Sequence, residues 1–167
     1  MMRCSLSKRA ATLAALAVLF CAQGRVRAAA QWAAPQPASA YSIPQAQLMQ
    51  PEELNRLLNT HGAERPLILQ VGSHVLFAES HITGSEYAGA GSQDAGLQQL
   101  RARVGPLPRK TFIVIYCGCC PWNRCPNVGP AYKTLTDMGF TRVKVLYLAD
   151  NLGADWVDKG FPVETGQ

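Results

Sequence analysis

Four cysteines fall within nine consecutive residues of this 167-residue chain, at positions 117, 119, 120 and 125. The entropy that a disulfide removes grows with the loop it closes, so bonds within so short a segment would staple almost no chain. The crowding points instead to local chemistry. A thiolate is the form of cysteine that attacks electrophiles and binds soft metals, and an unperturbed thiol with a pKa near 8.5 is mostly protonated at neutral pH. The segment supplies ways to favour the anion: Arg124 as a fixed cation, Gly118 to let backbone amides curl inward as an anion nest, and Asn127 to cap a following helix whose positive end faces the loop. Disulfide pairing of Cys117 with Cys120, or of Cys120 with Cys125, is the plainer alternative.

The elements that must position these groups are legible on either side. Leu67-Ile68-Leu69-Gln70-Val71, bounded by Pro66 and Gly72, is a near-continuous apolar run of the kind found in buried parallel strands, and Phe112 to Tyr116 and Val143 to Leu148 repeat it. Between the first two lies a candidate helix over Asp94 to Val104, with Leu97, Leu100 and Val104 on one side. Between the last two lies another over Pro130 to Met138, with Ala131, Leu135 and Met138 at helical spacing and Gly139 as terminator. Pro51-Glu52-Glu53 opens a further amphipathic helix carrying Leu54, Leu57 and Leu58. Strand, helix, strand, helix, strand implies right-handed crossovers and a parallel sheet covered on both faces, an α/β domain. In such a sheet ligands bind beyond the carboxyl ends of the strands, where Ile113-Val114-Ile115-Tyr116-Cys117 places the cysteine loop.

The formal net charge of +5 invites a nucleic-acid or anionic-membrane reading, but five of the sixteen basic residues lie in the first 30 positions, which hold no acid. The rest of the chain is neutral, with eleven bases against eleven acids and no basic stripe. The early cations precede an apolar run, Ala10 to Ala22, and the small residues Ala28 to Ala30. This is the pattern of a secretory signal peptide over residues 1–30. The expected organisation is that signal, a tether rich in Ala, Pro and Gln over 31–46, and one domain over 47–167. The mature protein is expected to be periplasmic or secreted and free of the membrane.

Several segments together resemble the rhodanese-like domain family. His81-Ile82-Thr83-Gly84-Ser85 is similar to its His-Ile-x-Gly-Ala signature, Phe112 to Cys117 to its strand ending in the catalytic cysteine, and Leu135 to Phe140 to its helix ending in Gly-Phe. Asn151 to Val163, with Trp156, Gly160, Pro162 and Val163, is similar to its closing Trp-x3-Gly-x-Pro-Val element. The resemblance implies a three-layer α/β/α fold with a central parallel sheet of about five strands, and sulfur transfer without a cofactor or metal. It implies a small anionic sulfur donor such as thiosulfate and a thiol acceptor as partners. By it Cys117 is the nucleophile, Arg124 its electrostatic partner, and the amides and side chains of Gly118, Cys120, Trp122, Asn123 and Cys125 the substrate cradle. The loop departs from the family in carrying four cysteines and in placing Arg124 seven residues from Cys117 but five from Cys119, so Cys119 stands as the alternative nucleophile. No cysteine of the 117–125 loop has the Cys-x5-Arg spacing of the related phosphatase loops, and Gln70 and Gly72 occupy positions where the family commonly carries Asp and Arg.

Three other functions use the same residues. Cys117-Gly118-Cys119-Cys120 contains a Cys-x-x-Cys pair able to cycle between dithiol and disulfide with an exported partner protein. Four thiolates could hold Cu(I) or Zn(II). The fold could also serve as a binding module alone. His81 is expected to be structural, and Trp156 to anchor the last helix.

Overall fold

The computed structural model describes residues 43–166. The expected signal peptide and most of the tether lie outside them. Among the described residues no helix is long and apolar enough to cross a membrane.

The three apolar runs form strands β2 (Leu67–Gln70), β5 (Ile113–Tyr116) and β6 (Val143–Leu146). Two short strands complete the sheet, β1 (Leu48–Met49) beside β6 and β4 (Glu86–Tyr87) beside β2. The order is β1-β6-β5-β2-β4 with every pairing parallel, so β5, which leads into the cysteine loop, is central. β3 (His81–Ile82) and β7 (Val163–Glu164) form a separate antiparallel pair. Ile43 packs against the core and Gln45–Gln47 form a 3-10 turn, so the folded chain reaches back into the stretch read as tether.

Alternation along β5 divides the interior in two. Ile113, Ile115 and Cys117 face one core, shared with Leu100 and Val104 of α3 (Asp94–Val104) and with Val128, Ala131 and Leu135 of α4 (Val128–Asp137). Val114 and Tyr116 face the other, with Leu54 and Leu58 of α1 (Pro51–Asn59) and with Trp156. Trp156 is fully buried on a π-helical turn over Gly153–Val157, and its ring N–H donates to the Pro162 carbonyl at 3.0 Å. Each buried aliphatic side chain contributes about 2 kcal/mol, and the two cores clamp the sheet between helical layers. α2 (His74–Glu79) is too short to write a readable period into the sequence.

Candidate active site

β5 ends at Tyr116, and side-chain alternation sets the direction of the next residue. Cys117 is in phase with Ile113 and Ile115 and points into the α3/α4 core, where it is only 4% exposed. Gly118 then takes a left-handed backbone, φ 79°, which a side chain disfavours, and turns the chain so that Cys119 comes back over Cys117. The two sulfurs lie 2.9 Å apart, and Cys120 Sγ is 3.5 Å from Cys119 Sγ. All three sulfurs lie within 4.8 Å of one another, close enough to hold one soft metal ion. Cys125 lies outside this trio but is near enough to shift the ionisation of Cys117 and Cys120. All four are free thiols.

Asn127 holds this cluster from the helix side. Its position predicts a cap for α4, but its side chain makes none. Instead Nδ2 donates to Cys117 Sγ at 3.2 Å and Oδ1 accepts from the Ser92 N–H at 3.0 Å, with the residue 6% exposed. Nothing in its sequence position separates a cap from a sulfur donor. On the opposite side Gln70 donates to the Cys117 carbonyl at 3.0 Å. A Cβ at Gly72 would meet that carbonyl at 2.7 Å and Cys117 Sγ at 3.0 Å, so no larger residue fits there.

The expected amide cradle from 118 to 125 differs from the one that forms. The N–H groups of Trp122, Arg124 and Cys125 are spent on the carbonyls of Ala149, Pro121 and Trp122. Of the loop amides, that of Cys119 favours the anion at Cys117 and at Cys119, and those of Asn127 and Val128, at the start of α4, favour it at Cys125. Ionisation reflects these contacts. Hydrogen bonding with Cys119 and Cys125, together with burial, pushes the Cys117 thiol strongly up, so it is the last of the set to ionise. The hydrogen bond from Cys117 lowers Cys119 to about 6, and the same neighbour with the two helix amides lowers Cys125 to about 6. Burial pushes Cys120 up to about 12. The expectation of an open thiolate at Cys117 is therefore corrected: it is a buried thiol that donates a hydrogen bond to Cys119.

These ionisations give Cys119 a distinctive reaction rate. The thiolate is the reactive form, so iodoacetamide labelling of Cys119 should rise as pH climbs through about 6 and level off above, while an ordinary thiol keeps rising through pH 8. At pH 6 the ionised fraction exceeds that of an unperturbed thiol by roughly 160-fold, and the lower intrinsic nucleophilicity of an acidic thiolate returns about 13-fold of this. The expected net gain is about 12-fold, read by peptide mass spectrometry. A Cys119 rate still climbing tenfold per pH unit at pH 8 would contradict the assignment.

Arg124 is exposed and lies on a 3-10 turn, Trp122–Arg124. With Trp122, Asn123, Tyr147 and Asp150 it lines a recess of about 320 Å³ that no cysteine enters. Trp122 packs on Tyr147 with ring centroids 5.1 Å apart. The expected meeting of Arg124, Trp122 and Asn123 with the sulfurs is not the arrangement the loop produces. His81 lies apart as well: its Nδ1 meets the Phe77 carbonyl at 2.8 Å, its ring stacks on Phe77, and its Nε2 lies 3.7 Å from Glu164. Tyr116, on the far face of β5, bonds Ser85 Oγ at 3.0 Å and accepts from the Ile82 N–H, and burial pushes its phenol up to about 12.

No protein-family model matches this sequence and no curated protein matches it. Among solved structures, the rhodanese-like domain of the Alr3790 protein from Anabaena sp. is similar with a TM-score of 0.53 and 22% identity, over 71% of this chain and 79% of that one. A crystal structure of the Alr3790 protein gives 0.51 and 20%, over 71% and 92%. The BH2092 protein from Bacillus halodurans gives 0.54 and 20%, over 70% and 75%. With a five-stranded parallel sheet between helical layers and the cysteine loop beyond its central strand, the chain has the fold of a rhodanese-like domain.

Proposed function

We propose that this protein transfers sulfane sulfur through a persulfide on the 117–125 loop, with the Cys119 thiolate as the attacking atom. One observation carries the reading: Cys119 Sγ rests 2.9 Å from the buried thiol of Cys117, beyond the carboxyl end of the central strand, and lines two open recesses. The Cys119 sulfur bonds to the outer sulfur of the donor while the donor's S–S bond breaks, and the electron pair leaves with the donor group. With thiosulfate the leaving group is sulfite. An acceptor thiolate then attacks the outer sulfur of the Cys119 persulfide, takes it, and releases the Cys119 thiolate. Cys117 gives a hydrogen bond to whichever anion stands at Cys119, and Asn127 Nδ2, 3.9 Å from that sulfur, adds to it.

A second reading rests on the three converging sulfurs, which would suit a Cu(I) site, or a Zn(II) site if Cys125 joined. One measurement tests both. The full chain, purified reduced and without air, is offered a sulfane-sulfur donor and analysed by native and peptide mass spectrometry. One added sulfur on the 117–125 peptide, removed by a thiol, is the expected result. A stoichiometric ion with no sulfur loading overturns the transfer reading in favour of the second.

A further inference from the structure

The two recesses that reach Cys119 differ from an oxyanion site in their charge. The first, of about 300 Å³, is lined by Leu76, Glu79, Leu152 and Val157 around Cys117 and Cys119. The second, of about 310 Å³, is lined by polar and small groups, among them Ser73, His74, Tyr87 and Asn127. Besides Cys119 itself, the acidic residue of the two linings is Glu79, and no Lys or Arg is among them. Arg124, the loop's own cation, serves a different recess, and three loop amides are already paired with backbone carbonyls.

A small dianion entering the first recess would give up water without a guanidinium or ammonium in return, and would approach a carboxylate. The rim is apolar instead. Leu76 is 41% exposed and Val157 39% exposed, two of the few large hydrophobic side chains that face solvent. Carbon skeleton laid against them leaves water, and positive charge is favoured near Glu79.

From the lining we infer that the donor this site accepts is an organic persulfide, R–S–SH, whose R group is apolar and neutral or cationic near the sulfur, and not a sulfur oxyanion. The inference rests on the sulfur-transfer reading and replaces thiosulfate as the donor class. The step balances: Cys119–S⁻ attacks the outer sulfur, the R–S bond to that sulfur breaks, R–S⁻ departs, and Cys119–S–SH remains.

Matched donors test it. The reduced full chain is offered 2-aminoethyl persulfide, 2-carboxyethyl persulfide and thiosulfate at equal concentration, and the initial rate of sulfur loading on the 117–125 peptide is followed by mass spectrometry. The expected order is the aminoethyl donor fastest, the carboxyethyl donor about tenfold slower, and thiosulfate slower again. Glu79→Lys, at an exposed position of α2, should reverse the preference between the two organic donors while thermal unfolding shows the fold intact. Thiosulfate or the carboxyethyl donor matching the aminoethyl donor on the unmodified chain would overturn the inference and leave sulfur transfer standing. An unchanged order in Glu79→Lys would overturn it too. No loading from any donor, with the chain reduced and folded, would bring down the transfer reading itself.

Discussion

Cys119→Ser is expected to lower the rate of sulfur loading on the loop by at least about 100-fold, whereas Cys117→Ser should retain the rate to within about tenfold. The contrast comes from the chemistry open to each sulfur. Cys119 is half-buried, opens to both recesses, and is lowered to about 6, so at neutral pH it is an accessible thiolate. A serine hydroxyl cannot replace that anion as a nucleophile. Cys117 is 4% exposed and held in its protonated form, so its contribution is a hydrogen bond to the neighbouring anion, and a hydroxyl can donate one too. Initial rates with an organic persulfide donor, read on the loop peptide, separate the two. Loss in Cys117→Ser with retention in Cys119→Ser would restore the role that resemblance alone assigns to the strand-end cysteine.

That reassignment marks where the sequence is legible and where it is not. The three buried runs form β2, β5 and β6, and the helices read over Asp94 to Val104 and Pro130 to Met138 correspond to α3 and α4, the second starting two residues earlier at Val128. Long elements write a period into the chain. β1, β3, β4 and β7 are two residues each and carry no period to read. The burial of Cys117 is in principle readable, because it stands in phase with Ile113 and Ile115, whose faces a parallel sheet must cover on the helix side. A rule that places reactive groups at strand ends does not say toward which face the last side chain turns.

Arg124 shows the other kind of limit. Nearness in sequence to four cysteines suggests nearness in space, but Pro121 starts a 3-10 turn whose first amide, that of Trp122, is tied to the Ala149 carbonyl after β6. A bond between segments so distant in the chain turns the arginine outward, and nothing local announces it. Gln70 is similar: where the family commonly has an acid, the amide satisfies the Cys117 carbonyl and the Gly72 N–H, at 3.0 and 3.1 Å, inside the fold. It supports the loop backbone and leaves charge out of the site.

The support can be tested from a distance at Gly91, which no chemical reading of the sequence singles out. Gly91→Ala is expected to destabilise the domain by about 3 kcal/mol, at the upper end of ordinary overpacking. A Cβ there would lie 2.2 Å from the Asn127 carbonyl oxygen and 3.3 Å from Ala131 Cβ. The oxygen cannot swing away as a side chain would, because it accepts the first bond of α4 from the Ala131 N–H, and Gly91 is itself tied to the Val71 carbonyl at 2.9 Å. Relief therefore requires the start of α4 to move, and with it Asn127, whose Nδ2 sits 3.2 Å from Cys117 Sγ. For a domain of this size the loss corresponds to a fall in Tm of about 12 °C. Gly84→Ala is the matched comparison: it has open space around it but a left-handed φ of 75°, so about 1 kcal/mol of backbone strain is its whole cost. Gly91→Ala should in addition slow sulfur loading at temperatures where the domain remains folded, since the displaced amide no longer holds the cluster, while Gly84→Ala should not. Equal, small losses of stability in the two variants would mean that the head of α4 yields to a methyl group at residue 91, and that the sulfur cluster keeps its shape without that contact.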